Sequence, residues 1–233
     1  MEKIIIGELL GTFVLILFGT GTCAANSLRK SYAQNTGWVF ITLGWGFAVF
    51  AGIIVSSPLS GAHLNPAVSL GFFLQGSMSI VELLAYIGAQ LVGAILGAAA
   101  VYQLYYHHFY VEDEDYGGVF FTAPAIKDSV RNFFAELVGT ATLVLFIMMM
   151  AHDKSANSLF VPFMIVAIGI ALGSLTGYAI NPVRDFGPRI VYSLTKMGKK
   201  YSANWSYAWV PIVGPLCGAV VASLIYTLML NYL

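Results

Sequence analysis

Two short apolar segments of this chain cannot cross a bilayer, although nearly everything around them can. Asn65-Pro66-Ala67 opens one, within SGAHLNPAV from Ser60, and Asn181-Pro182-Val183 opens the other, within TGYAINPVRDFGPR from Thr176. Asn65–Gln75 has 11 residues, which gives about 16 Å of helix, roughly half of a hydrocarbon core. Asn181–Leu194 is of similar length and carries Arg184, Asp185 and Arg189. Asparagine is a favoured N-cap and proline a favoured first helical residue. Both segments therefore read as half-helices that start inside the membrane. The backbone entering them, Ser57–Leu64 and Ser174–Ile180, is tolerated at that depth only if buried in protein or lining a watery cavity.

The rest of the chain supplies the spans. Of 233 residues, 58% are hydrophobic and 9% charged, which excludes a water-soluble globule. Six stretches are apolar enough to cross: Ile4–Ala25, Trp38–Ser56, Leu83–Tyr106, Asn132–Ala151, the shorter Phe160–Leu175, and Tyr207–Leu230. Polar breaks at Asn26–Gly37, His107–Asp128 and His152–Ser158 separate them. The expected fold is an all-α membrane protein with six transmembrane helices and two re-entrant half-helices, a single channel domain over 1–233. The first span lacks a cleavage pattern and reads as a helix, not a removed signal. A formal net charge of zero gives no reason to expect a nucleic-acid partner. Cys23 and Cys217 lie in apolar runs and read as buried, inert thiols; no metal or disulfide spacing is present, and no cofactor is expected. Glu112–Asp115 reads as a solvated acidic loop.

The two halves repeat. Glu8-Leu-Leu-Gly-Thr12 returns as Glu136-Leu-Val-Gly-Thr140, and Gly61, Asn65 and Pro66 return as Gly177, Asn181 and Pro182. The repeats cover about 1–125 and 126–233. Three spans separate Glu8 from Glu136, so the second half enters the bilayer from the opposite side. Inverted halves bring equivalent half-helices together near the midplane. Glycines four residues apart, such as Gly7/Gly11, Gly93/Gly97 and Gly214/Gly218, predict close helix packing.

These paired motifs resemble the aquaporin superfamily, and Arg184-Asp185-Phe-Gly-Pro-Arg189 is similar to its glycerol-conducting, aquaglyceroporin branch. Aquaporin-type pores select through diameter, lining donors and acceptors, and a positive barrier. The resemblance implies a selectivity filter of Trp45, Gly169, Tyr178 and Arg184 near the outer mouth, with Gly169 leaving room there. It further implies homotetramers in the cell membrane with both termini cytoplasmic. That orientation places Arg29, Lys30, Lys127, Lys196, Lys199 and Lys200 outside, against the positive-inside tendency. Val183 replaces the family's usual alanine in the second motif.

The residues suggest how such a pore works. The Asn65 and Asn181 side chains cap their helices and leave amide donors facing the lumen. Both half-helices point positive dipole ends inward, and Arg184 adds a full charge, so cations are opposed. The carbonyls of Gly61, Ala62, His63, Leu64, Gly177, Tyr178 and Ala179 form an acceptor ladder for a polyol. Asp185 reads as structural, satisfying loop donors or pairing with Arg189. Glu8 and Glu136 read as braces that accept loop N–H groups; in a transporter the same two would be proton-coupling candidates.

The expected function is a passive channel for glycerol and water. Dihydroxyacetone, urea, hydrogen peroxide and protonated lactic acid are further candidate solutes. A strict water channel and a proton-coupled secondary transporter are the alternatives. No catalytic constellation is present, so an enzyme is not expected.

Overall fold

The computed structural model describes residues 1–153 and 157–232. The middle of the break at His152–Ser158, positions 154–156, lies outside the described residues. Helices and short turns make up the secondary structure, with no strand among the described residues.

Five helices are long and apolar enough to span: α1 (Glu2–Ser27), α2 (Trp38–Ser60), α4 (Ile80–Leu104), α6 (Ser129–His152) and α11 (Trp209–Met229). The fifth span in chain order differs from the expected single helix. It is assembled from a 3₁₀ turn (Ser158–Phe160), α7 (Val161–Ala171) and α8 (Gly173–Thr176), interrupted at Leu172. The interruption lies between Gly169 and Gly173, against which the Tyr178 ring is seated. The half-helices are α3 (Pro66–Leu74) and α9 (Pro182–Leu194). Each begins as its sequence dictates. Asn65 Oδ1 accepts from Ala67 N at 2.9 Å, and Asn181 Oδ1 accepts from Val183 N at 3.2 Å and Arg184 N at 3.3 Å. Elsewhere Ser79 and Glu82 close a capping box on α4, and Asp128 caps α6.

The packing follows the repeat. α1 lies against α2 and α4, as α6 lies against α7 and α11. Contact at the matching position needs a bare Cα in both halves. A side chain at Gly93 would meet the Leu9 carbonyl at 2.4 Å, and one at Gly218 would meet the Leu137 carbonyl at 2.5 Å. The halves then clasp each other: α2 touches α7, α3 packs on α11, and α9 packs on α4. Each half-helix is thus held partly by the other half, and α3 touches α9 at the centre.

The connection between halves folds back over one end. Its short α5 (Gly117–Phe120) packs on α1 and α9. The acidic run is exposed, as expected, but every member is held. Arg29 bonds Glu112 at 2.8 Å and reaches Glu114 at 3.6 Å; Lys200 and Tyr201 bind Asp113; Tyr192 donates to Asp115 at 2.6 Å. The last short helix, α10 (Lys196–Tyr201), carries that lysine.

Candidate functional site: a lumen between two half-helices

Both re-entrant loops follow one backbone path. Gly61 and Gly177 each take φ of 83°, and the residues after them, Ala62 (59°) and Tyr178 (39°), are also left-handed. So are Leu64 (54°) and Ile180 (41°), immediately before the asparagines. Left-handed non-glycine residues are unfavourable and persist only when their surroundings over-determine them.

The carboxylates of Glu8 and Glu136 supply that determination. Both are buried, at 0% and 1% exposure. Glu8 accepts from His63 N (3.0 Å), Leu64 N (2.7 Å), Ser60 Oγ (2.6 Å) and Gln90 Nε2 (2.7 Å). Glu136 accepts from Ala179 N (3.0 Å), Ile180 N (2.8 Å) and Thr176 Oγ1 (2.6 Å). Ser60 and Thr176 also accept from Ala62 N and Tyr178 N, each at 3.2 Å. Gln90 has no counterpart beside Glu136, and nothing in its sequence context marks it for this role.

The asparagine tips meet. Asn65 Nδ2 donates to the Ile180 carbonyl and Asn181 Nδ2 to the Leu64 carbonyl, both at 2.8 Å. Each amide carries two N–H groups. One is therefore spent on tying the halves together, and one remains for the lumen. The amides expected to present donors to the lumen thus also bridge the two halves. The Leu64 carbonyl, expected as a rung of the ladder, is likewise already bonded across the interface.

A cavity of about 320 Å³ runs past these tips. Its wall includes Gly61, Ala62, His63, Leu64 and Asn65 of the first loop, and Tyr178, Ala179, Ile180, Asn181 and Arg184 of the second. Trp45 joins at the Arg184 end. Pro66, Ala67, Pro182 and Val183 are buried behind the tips and start the half-helices without lining the cavity. Gly169 and Gly177 do not line it either. Gly169 provides room for a ring and none for a solute: a side chain there would meet the Tyr178 ring and hydroxyl at 2.9–3.0 Å. Its carbonyl accepts from Trp38 Nε1 at 2.9 Å, and Trp38 meets Tyr178 edge-on. Gly177 is the left-handed cap of α8.

Arg184 is nearly buried (7% exposed) and is not paired with Asp185. Its guanidinium lies 3.9 Å over the Trp45 ring and donates to the Phe120 carbonyl at 3.4 Å. Asp185 is fully engaged elsewhere. It accepts from Thr122 N and Oγ1, each at 2.8 Å, and from Arg189 at 2.7 and 3.0 Å. Arg189 has no exposure at all and also donates to the carbonyls of Ala203, Asn204 and Thr122. Sequence reasoning missed Phe120 and Thr122, which lie in a connection with no motif. Arg189 and its i,i+4 pairing with Asp185 are legible in the sequence, but the carbonyls that complete its shell come from loops, Thr122 on one side and Ala203 and Asn204 on the other.

His63 is stacked between Phe72 (4.9 Å) and Tyr86 (4.4 Å), with Nδ1 3.1 Å from Ser69 Oγ. Its backbone N–H, not its ring, reaches Glu8. No group of three or more potential metal ligands occurs among the described residues.

Inverted halves, paired re-entrant helices and a lumen threading between their tips define a membrane channel. The family model described as "Major intrinsic protein" matches residues 1–226, and the chain belongs to that family. Among curated relatives, glycerol uptake facilitator protein 3 of Lactiplantibacillus plantarum is 44% identical, covering 97% of this chain and 96% of the relative. A glycerol uptake facilitator protein of Streptococcus pneumoniae is 45% identical, covering 98% of this chain and all of the relative. Among solved structures, the aquaglyceroporin from Plasmodium falciparum superposes with a TM-score of 0.83 at 35% identity, covering 97% of this chain and 95% of that one.

Proposed function

We propose that this channel conducts glycerol and other small neutral solutes together with water, down their gradients, while opposing ions and protons. One observation carries the reading. The lumen wall sets two apolar rings, Trp45 and Tyr178, beside the Arg184 guanidinium, which is stacked at 3.9 Å on the Trp45 ring, and beside the loop backbone. A linear polyol has the same two faces: carbons for the rings, and hydroxyls for the guanidinium, carbonyls and remaining asparagine N–H groups. Replacing water's hydrogen bonds along the passage keeps desolvation cheap. The names of the curated relatives agree with this choice.

In this reading Trp45, Tyr178 and Arg184 form the filter, Gly169 seats Tyr178, and Asn65 and Asn181 hold the permeant oxygen at mid-lumen. The free rungs are the carbonyls of Gly61, Ala62, His63, Tyr178 and Ala179. Glu8, Glu136 and Asp185 act as braces. Apart from Gln90 of α4, the donors to Glu8 and Glu136 are loop N–H groups and the hydroxyls that bind them, which favours bracing over proton coupling. Dihydroxyacetone, urea, hydrogen peroxide and protonated lactic acid share the size and neutrality required. The assembly is a homotetramer in the cell membrane with both termini cytoplasmic.

Light scattering from reconstituted vesicles under a glycerol gradient tests the reading; shrink–swell rates equal to empty lipid would reject it. A strict water channel predicts osmotic water flow without glycerol flow in the same vesicles. Tyr178→Phe removes a buried hydroxyl that lacks a partner, so glycerol flux should stay within about twofold. Labelling of a cysteine placed at Lys199 only from the cytoplasmic side would reverse the orientation.

A further inference from the structure

We infer that Gly19 and Cys23 of α1 form a socket that orients Trp45, which makes Cys23 a positioning residue for solute selection. The proposal rests on the filter reading above, in which Trp45 is the wall that meets the solute.

The ring is seated on one side by shape. A side chain at Gly19 would lie 2.2–2.5 Å from three atoms of the Trp45 benzo ring, so only a glycine leaves that notch open. It is held by a hydrogen bond as well. Trp45 Nε1 donates to Cys23 Sγ at 3.4 Å, and both residues are buried. Gly19 and Cys23 lie one helical turn apart on α1, so notch and acceptor present one face. With its plane set by α1, the ring offers a face to Arg184 at 3.9 Å.

The other half of the molecule acts as an internal control. The register that aligns Glu8 with Glu136 aligns Gly19 with Ile147 and Cys23 with Ala151. The register that aligns Asn65 with Asn181 aligns Trp45 with Val161. Where the large ring is replaced by valine, the notch is filled by isoleucine and the acceptor is gone. Ile147, Ala151 and Val161 all line the lumen themselves. Notch, acceptor and ring thus occur together at one end and are absent together at the other. A buried indole N–H without an acceptor is costly. Deprived of Cys23, it turns toward lumen water and narrows the passage for a solute wider than water.

The test uses full-length channel in vesicles, with glycerol and water permeabilities measured on one preparation. Ultraviolet resonance Raman difference spectra report indole N–H bonding. Cys23→Val keeps bulk and removes the acceptor; Cys23→Ala removes the acceptor without branching and serves if the valine form does not assemble. The glycerol-to-water ratio should fall about fivefold, the scale of one hydrogen bond, with a shifted indole band. Cys23→Ser restores an acceptor and should keep the ratio within about twofold. An unchanged ratio and band in both apolar variants would overturn the proposal, as would equal losses in the serine and apolar forms. If wild type passes water but not glycerol, the filter reading fails; the band shift then decides the socket alone, present if it holds and absent if it is wrong.

Discussion

The two ends of the lumen share a backbone path and differ in the side chains that pseudo-equivalent positions present to the cavity. At one end stand Trp45, Tyr178 and Arg184, with Gly169 behind. Their pseudo-equivalents at the other end are Val161, Ala62, Val68 and Ile53, and all four line the cavity. At the first end these positions are aromatic and charged; at the other they are aliphatic and uncharged. The repeat therefore builds the passage, and departures from the repeat build its chemistry. Buried support follows the same division. Asp185, held by Arg189 and Thr122, is matched by Ser69, whose hydroxyl bonds His63 and Gln90.

That contrast can be broken most forcefully at Arg189. Replacing it with Met leaves Asp185 buried without its cation, a change that costs about 3–5 kcal/mol. Ser69→Ala, at the position matching Asp185, removes only neutral hydrogen bonds and should cost about 1 kcal/mol. Unfolding in detergent should rank the two in that order; equal losses would show that the ends are supported alike.

The braces come next. Glu136→Gln turns one acceptor oxygen into a donor facing Ala179 N or Ile180 N, and should cost about 1–3 kcal/mol. Glu8→Gln should cost less. Gln90 has a buried, unpartnered Oε1 beside Glu8, and a flip of its amide would accept from the new NH₂. Solute flux in both variants should stay insensitive to proton and sodium gradients; lost coupling would make these residues part of a transporter.

Arg184→Val converts the charged end into a copy of its partner, where Val68 stands. Removing a unit charge from the lumen should raise proton leak by about tenfold, equivalent to about 1.4 kcal/mol of barrier. A pH-sensitive dye inside vesicles reads that leak. An unchanged leak would assign the barrier wholly to the half-helix ends.

The smallest effect concerns the connection that overhangs the Arg184 end. Hydrogen bonds from Lys200 and Tyr201 hold the Asp113 carboxyl below its usual range. A depressed carboxylate contributes order above its unfolded value and loses it as pH falls through its folded one. Hydrogen exchange at 111–115, corrected for intrinsic rates, should be flat from pH 8 to about 5 and rise only below about pH 4. A rise near neutrality would place the holding contacts elsewhere.

Much of this molecule was legible from residue order because the signals are local. Length and apolarity mark the spans, Asn-Pro marks helix starts, and the recurrence of Glu8 as Glu136 marks the inverted repeat. The fifth span was harder, since its break at Leu172 lies where rings from Trp38 and Tyr178 pack on Gly173. Cys23 reads as inert in isolation and acquires meaning only beside Trp45. Gly169 looks like open space until the Tyr178 ring fills it. The asparagine amides look free until the opposite loop is present.

Residue order by itself determined that two segments begin within the membrane, that the halves are related by inversion, and that a buried charge follows the second motif. Burial of apolar length and capping of helix ends act within a few residues, so a linear text can carry them. Tertiary structure alone decided which carbonyls the asparagines spend, that Arg184 stacks on Trp45 of another helix, and which notch seats each ring. Those choices are made between helices distant in the chain, where van der Waals fit and the need to satisfy every buried polar group leave a single arrangement.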